Sequence, residues 1–369
     1  MTEKERDFVP APGLSNNHLM TLAPLVMIRR FPLTSRGSER LLLEVAPDNQ
    51  VLVKLHRAPK TAARADFLVL VLHGLESNAD VHYVKGVCEK AIYDGFSVAR
   101  MNMRNCGGTS HLATTLYNAG MSEDVLSVAS QLSARYGFKG VFLCGFSLGG
   151  NVVLKAAGEY AAARDREAQG EIVASPAKGP LQSGFLLAGV CAVCPPIDLE
   201  GCVRQMEKGV NRIYEKNFVL SLKMRIYEKA RHFPGRYDLV GLRKIKTVRG
   251  FDSAFTAPDA GYGSAEEYYY NASAQRVLAQ IDCPALIIAA QDDPLVPFSC
   301  FESLVGEGSG GTENFRGTLL APLQGGHVSF VHKEPVPAGI RPGRDAPSDQ
   351  FWAEWQALNF FKNHTAGGA

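Results

Sequence analysis

Short runs of apolar, β-branched residues alternate along this chain with longer stretches whose apolar positions recur every three to four residues. The first pattern predicts strands, the second helices, and the alternation predicts βαβ units around a mostly parallel sheet. Residues 41–45 and 51–56 read as an antiparallel pair joined by a Pro47-Asp48-Asn49 turn. Residues 67–72 form a nearly pure apolar run, as expected of a strand buried on both faces. A helix is expected over 81–93, a strand over 96–102, and a helix over 123–136 with Val125, Val128, Ala129 and Leu132 on one stripe. A strand at 140–144 precedes an Ala- and Val-rich helix at 151–163. Later strands are expected at 185–194, 285–290 and 318–322. An aromatic helix over 349–362 spaces Phe351, Trp355, Leu358 and Phe361 to pack on the sheet.

Two stretches break the alternation. Residues 164–183 are polar and contain Gly, Pro and Ser, which predicts a surface excursion. Residues 197–275 hold helical patterns and no clear core strand. An insertion there lies above the carboxyl ends of the strands, over the binding crevice, so it reads as a lid. The expected organisation is a core from 1–196 and 276–369, interrupted by a helical lid at 197–275. Gly/Pro-rich loops at 305–317 and 333–348 flank the last strand.

Composition narrows the classes. The chain has 369 residues, 46% hydrophobic and 21% charged, enough for a large core, and its net charge of +2 offers no stripe for nucleic acid. The charged start of the sequence lacks the apolar segment of a signal peptide, and the longest apolar run is strand-sized, so a soluble cytoplasmic protein is expected. The eight cysteines show no disulfide framework. Cys191 and Cys194 form one C-x-x-C without a second ligand pair, which predicts buried structural thiols rather than a zinc site.

The sharpest chemical signal is Gly145-Phe146-Ser147-Leu148-Gly149, a G-x-S-x-G that follows a strand and opens a helix. That turn exposes a nucleophilic hydroxyl at the helix N-terminus and needs small residues two before and two after it. It is the nucleophile elbow of the α/β-hydrolase fold, where an acid and then a histidine follow in chain order. The strand at 285–290 ends in Asp292-Asp293-Pro294-Leu295-Val296-Pro297, and a D-x-x-x-P turn favours Asp293 over Asp292 as the acid. Gly325-Gly326-His327 follows the last expected strand and supplies the histidine. Ser147, Asp293 and His327 are the expected nucleophile, orienting acid and general base. Backbone N–H groups of Leu148 and Leu75 are the expected oxyanion donors, with His73 shaping the loop around Leu75. Such a mechanism requires no cofactor or metal.

These blocks resemble the YheT-like branch of the α/β-hydrolases, the AB hydrolase 4 family. Gly145 through Lys155, His73-Gly74-Leu75-Glu76-Ser77, Asn102 through Gly108, Phe251-Asp252 with Thr256-Ala257-Pro258, and Asn17-His18-Leu19-Met20-Thr21 through Arg30 carry the resemblance. It implies a carboxylic ester hydrolase, esterase- or lipase-like, acting on acyl lipids or short- to medium-chain esters. Acyltransferase action through the same acyl-enzyme is the alternative, and a non-catalytic binding module a third. No H-x-x-x-x-D string occurs, which lowers the transferase reading. The sequence departs from the family at Asn105, where Gly is usual. The basic run Arg243-Lys244-Ile245-Lys246 reads as a solvated lid face, or else as a contact for anionic lipid headgroups. Tyr268-Tyr269-Tyr270 either lines the acyl pocket or packs the lid.

Overall fold

The computed structural model describes residues 7–169, 174–175, 179–180, 185–304, 315–336 and 349–365. Eight strands form one sheet: β1 (Glu39–Ala46), β2 (Asn49–His56), β3 (Phe67–Leu72), β4 (Ser97–Met101), β5 (Gly140–Phe146), β6 (Leu186–Val193), β7 (Ala285–Ile288) and β8 (Thr318–Leu320). Their spatial order is β1-β2-β4-β3-β5-β6-β7-β8, with β2 antiparallel to β1 and β4 and the other pairs parallel. The expected α/β-hydrolase architecture with a mostly parallel sheet is therefore present.

Strand β3 matches its sequence pattern residue for residue, because both of its faces are covered. Leu68, Leu70 and Leu72 point into one core layer, while Val69 and Val71 point into the other. Four helices flank the sheet: α2 (His82–Tyr93), α3 (Ser122–Tyr136), α4 (Leu148–Ala168) and α9 (Trp352–Asn363). Residues of α3 and α4 fill the first layer, and those of α2 and α9 fill the second. Before β1, a short helix α1 (Asn17–Leu22) is capped by the Asn16 side chain, which accepts from the N–H groups of His18 and Leu19.

Several boundaries differ from the sequence expectation. Helix α4 begins directly after Ser147 and runs through 168, so residues 164–168 are helical rather than part of a surface excursion. Its last turn, Arg-Asp-Arg-Glu-Ala, is polar but built of helix-compatible residues. Residues 333–336 belong to a strand, β9 (Val331–Val336), which pairs with β10 (Asp349–Phe351). Phe351 thus precedes the C-terminal helix and packs with Ala11, Met20 and Val331, whereas Trp355, Leu358 and Phe361 do pack on the sheet. Residues 305–314 and 337–348 of the two expected loops lie outside the described residues.

Between β6 and β7 the chain is helical. It includes α5 (Leu199–Met206), α6 (Arg212–His232), α7 (Leu239–Lys244) and α8 (Ala265–Ala272), with a π-helical turn at Asp252–Thr256. Fully buried Asn151 on α4 ties this insertion to the core. Its amide donates to the carbonyls of Ala119 (3.0 Å) and Ala272 (2.7 Å), and its oxygen accepts from Ala274 N–H (2.8 Å).

Candidate active site

Ser147 stands at the β5–α4 junction with φ 52° and ψ −124°, a conformation that costs energy for any residue with a side chain. The glycines on either side make the turn feasible. A Cβ on Gly145 would lie 2.1 Å from the Gly149 carbonyl oxygen, and one on Gly149 would lie 2.4 Å from the His73 carbonyl oxygen. The G-x-S-x-G spacing is therefore a steric requirement of the elbow.

The residues singled out in the sequence converge here. His327 Nε2 lies 2.9 Å from Ser147 Oγ, and His327 Nδ1 lies 2.8 Å from Asp293 Oδ2. The other oxygen of Asp293 accepts from the N–H groups of Leu295 (2.8 Å) and Val296 (3.0 Å), which aims the carboxylate at the imidazole. Asp292 does not reach the ring. Its Oδ1 accepts from Gly326 N–H at 2.9 Å, and burial pushes its carboxyl pKa upward.

The loop after β3 lies against the elbow, so that a Cβ on Gly74 would come 3.0 Å from Ser147 Cβ. His73 is fully buried and organises it: Nδ1–H donates to Gly74 O (2.8 Å), and Nε2 accepts from Met103 N–H (3.2 Å). Burial pushes the His73 pKa down to about 4, so the ring is neutral and can play both roles. Gly74 N–H donates to Tyr83 Oη (3.1 Å), Glu76 N–H to Tyr117 Oη (2.8 Å) and Ser77 N–H to Gly74 O (3.3 Å). Leu75 sits between these committed amides, and Leu75 and Leu148 both line the cavity beside Ser147.

That cavity also takes in His327. Leu116, Val203, Met206, Phe218, Phe251 and Val296 give it largely apolar walls, several of them from the helical insertion. Tyr268 and Tyr269 line it and are buried, while Tyr270 is exposed, so the tyrosine cluster divides between pocket and surface. One buried acid, Asp252, also faces the cavity; burial raises its pKa to about 6, and it accepts from Tyr269 Oη at 2.7 Å.

The contact between the insertion and the loop after β3 leaves no signal in the sequence. Arg225 on α6 approaches both carboxylate oxygens of Glu76 (2.7 and 3.2 Å) and donates to the Asn105 carbonyl. Glu76 and Asn105 both have positive φ, 53° and 66°. Asn tolerates that region better than most residues, so Asn105 holds this turn at little cost.

All eight cysteines are free, and Cys191 and Cys194 are buried. Among the described residues, one group could hold a metal, Cys194 with Asp293 and His327. Both ring nitrogens of that histidine already face Asp293 and Ser147, so its donor set suits proton transfer rather than a cation. No helix among the described residues is long and apolar enough to cross a membrane.

An eight-stranded sheet of this order, with a serine on the elbow facing a histidine and an aspartate from later loops, defines the class of α/β-hydrolases. The model of the alpha/beta hydrolase fold family matches residues 68–331, and the chain belongs to that family. It is 29% identical over 292 residues to the candidate esterase YheT of Escherichia coli, covering 79% of this chain and 78% of that protein. It is also 29% identical to the candidate esterase slr0264 of Synechocystis, covering 96% and 94% of the two chains. The solved esterase Pf2001 of Pyrococcus furiosus superposes with a TM-score of 0.53 at 14% identity, covering 92% of this chain and 97% of that one. This likeness shows the shared fold.

Proposed function

We propose that this protein is a serine carboxylic ester hydrolase that acts on short- to medium-chain acyl esters or acyl lipids through a Ser147–His327–Asp293 triad. The 2.9 Å contact between Ser147 Oγ and His327 Nε2 in the wall of an apolar pocket supports this function most directly. With Asp293 accepting from Nδ1–H, the Nε2 lone pair faces the serine hydroxyl. His327 takes the Ser147 proton as Oγ adds to the ester carbonyl carbon, and returns it to the departing alcohol oxygen. The acyl group is then held on Ser147. Water, deprotonated by His327, adds to that carbonyl, and the acid leaves as Ser147 regains its proton.

The tetrahedral oxyanion in each half is stabilised by the N–H groups of Leu148 and Leu75. Leu148 opens α4, where the helix dipole favours negative charge, and Leu75 lies among amides already committed elsewhere. Residues 197–275 act as the lid that shapes the acyl pocket, and no cofactor takes part. Hydrolysis of p-nitrophenyl esters from acetate to palmitate tests this function, with a maximum expected among short to medium chains and turnover by Ser147→Ala slower by at least about 10³-fold. Adding ethanol and measuring acid against ethyl ester reports whether water or an alcohol resolves the acyl-enzyme.

A further inference from the structure

The loop that carries His327 is strained along its length. Gly326 has φ 58°, but Val328 (69°) and Phe330 (43°) also stand in the left-handed region, which a β-branched or aromatic residue rarely adopts. Such a backbone persists only where its surroundings over-determine it. Much of that determination comes from α1, some three hundred residues away in the chain. His327 N–H donates to Thr21 Oγ1 at 2.9 Å, and the Thr21 hydroxyl donates onward to Asn17 O at 2.7 Å. The hydroxyl therefore presents a lone pair to the amide of His327 itself. Ser329 Oγ donates to Thr21 O (3.2 Å), and Val331 N–H approaches Met20 Sδ (3.3 Å).

Helix α1 reaches the acid loop as well, because Asn17 Nδ2 donates to the Asp292 carbonyl at 2.7 Å. The packing leaves no slack: a Cβ on Gly326 would lie 2.8 Å from both Asn17 O and Thr21 Oγ1. Beyond α1, the same N-terminal segment is pinned by Arg29, whose guanidinium forms a two-pronged pair with buried Glu354 (2.7 Å each).

We propose that α1 is a positioning element for the catalytic base, with Thr21 holding the His327 backbone and Asn17 the acid loop beside it, so that Nε2 stays within reach of Ser147. This rests on the triad proposed above. Thr21 touches no reacting atom in this role. It acts through the His327 amide, and a displacement of about 1 Å in a reacting group can cost on the order of 100-fold in rate.

The test compares Thr21→Val, Thr21→Ser and His327→Ala in the full chain. The readouts are kcat, KM and the rate of inactivation by a fluorophosphonate, each referred to the folded fraction. Thr21→Val is expected to lower kcat and the inactivation rate by about 10- to 100-fold with KM little changed, and Thr21→Ser to restore both. Wild-type turnover per folded Thr21→Val molecule, or an equal loss in Thr21→Ser, would overturn the role of Thr21. If Thr21→Val does not fold, Asn17→Ala removes the contact to Asp292 and should lower kcat several-fold at unchanged KM; unchanged kcat there also overturns the proposal. His327→Ala as active as wild type would show that the triad itself is wrong, whereas an inactive His327→Ala beside a normal Thr21→Val removes only the positioning role.

Discussion

Asp292 and Asp293 are neighbours in sequence that hold the same loop by different atoms. Asp293 contacts the His327 ring at 2.8 Å, and Asp292 accepts from the Gly326 amide at 2.9 Å. Asp293→Asn should keep the fold but favour the wrong imidazole tautomer, lowering kcat on the order of 10⁴-fold. Asp292→Asn keeps an oxygen for the Gly326 amide and should cost far less. Steady-state kinetics on the two variants checks this, and a larger loss in Asp292→Asn would reverse the assignment.

Glu76 and Arg225 join the loop after β3 to the helical insertion, both with side chains nearly out of solvent. Replacing either one alone leaves its partner charged and buried, which costs on the order of 3–5 kcal/mol. Replacing both, as Glu76→Gln with Arg225→Met, should lose less than the sum of the two single changes. Urea unfolding of the four proteins in the cycle measures the coupling, and strict additivity would mean the pair is not coupled in solution.

His73 is neutral in the folded protein, with its pKa pushed down to about 4, while an exposed histidine titrates near 6.5. The unfolded chain therefore takes up the proton first on acidification. The stabilisation is fully present above about pH 6.5 and is lost as pH falls towards 4. Between about pH 7 and pH 5 the loss from this one group is about 2 kcal/mol. His73→Gln should show a shallower decline of unfolding free energy over that range. An unchanged slope would mean that His73 does not titrate as its burial implies.

The sheet was legible because its central strands are buried on both faces, as in the unbroken apolar run of β3. The elbow was legible because its geometry excludes all but small residues at 145 and 149. Which aspartate faces His327 was only half legible, since both carboxylates follow β7 and only the turn at Leu295 and Val296 aims one of them. The Asn17–Thr21 block was visible as part of the family resemblance, but its engagement with the His327 loop was not. Its hydrogen bonds run largely to main-chain groups, which any sequence supplies. The pairing of Glu76 with Arg225 was hidden for another reason: its partners are 149 residues apart, and neither spacing nor periodicity links them.

The central claim is that Ser147, activated by His327, is the nucleophile of an ester hydrolase. Its most direct measurement is the turnover of a short-chain p-nitrophenyl ester by wild type and by Ser147→Ala. A wild-type enzyme that turns over, and a folded Ser147→Ala slower by at least about 10³-fold, is the predicted result. Equal turnover in the two proteins would contradict it.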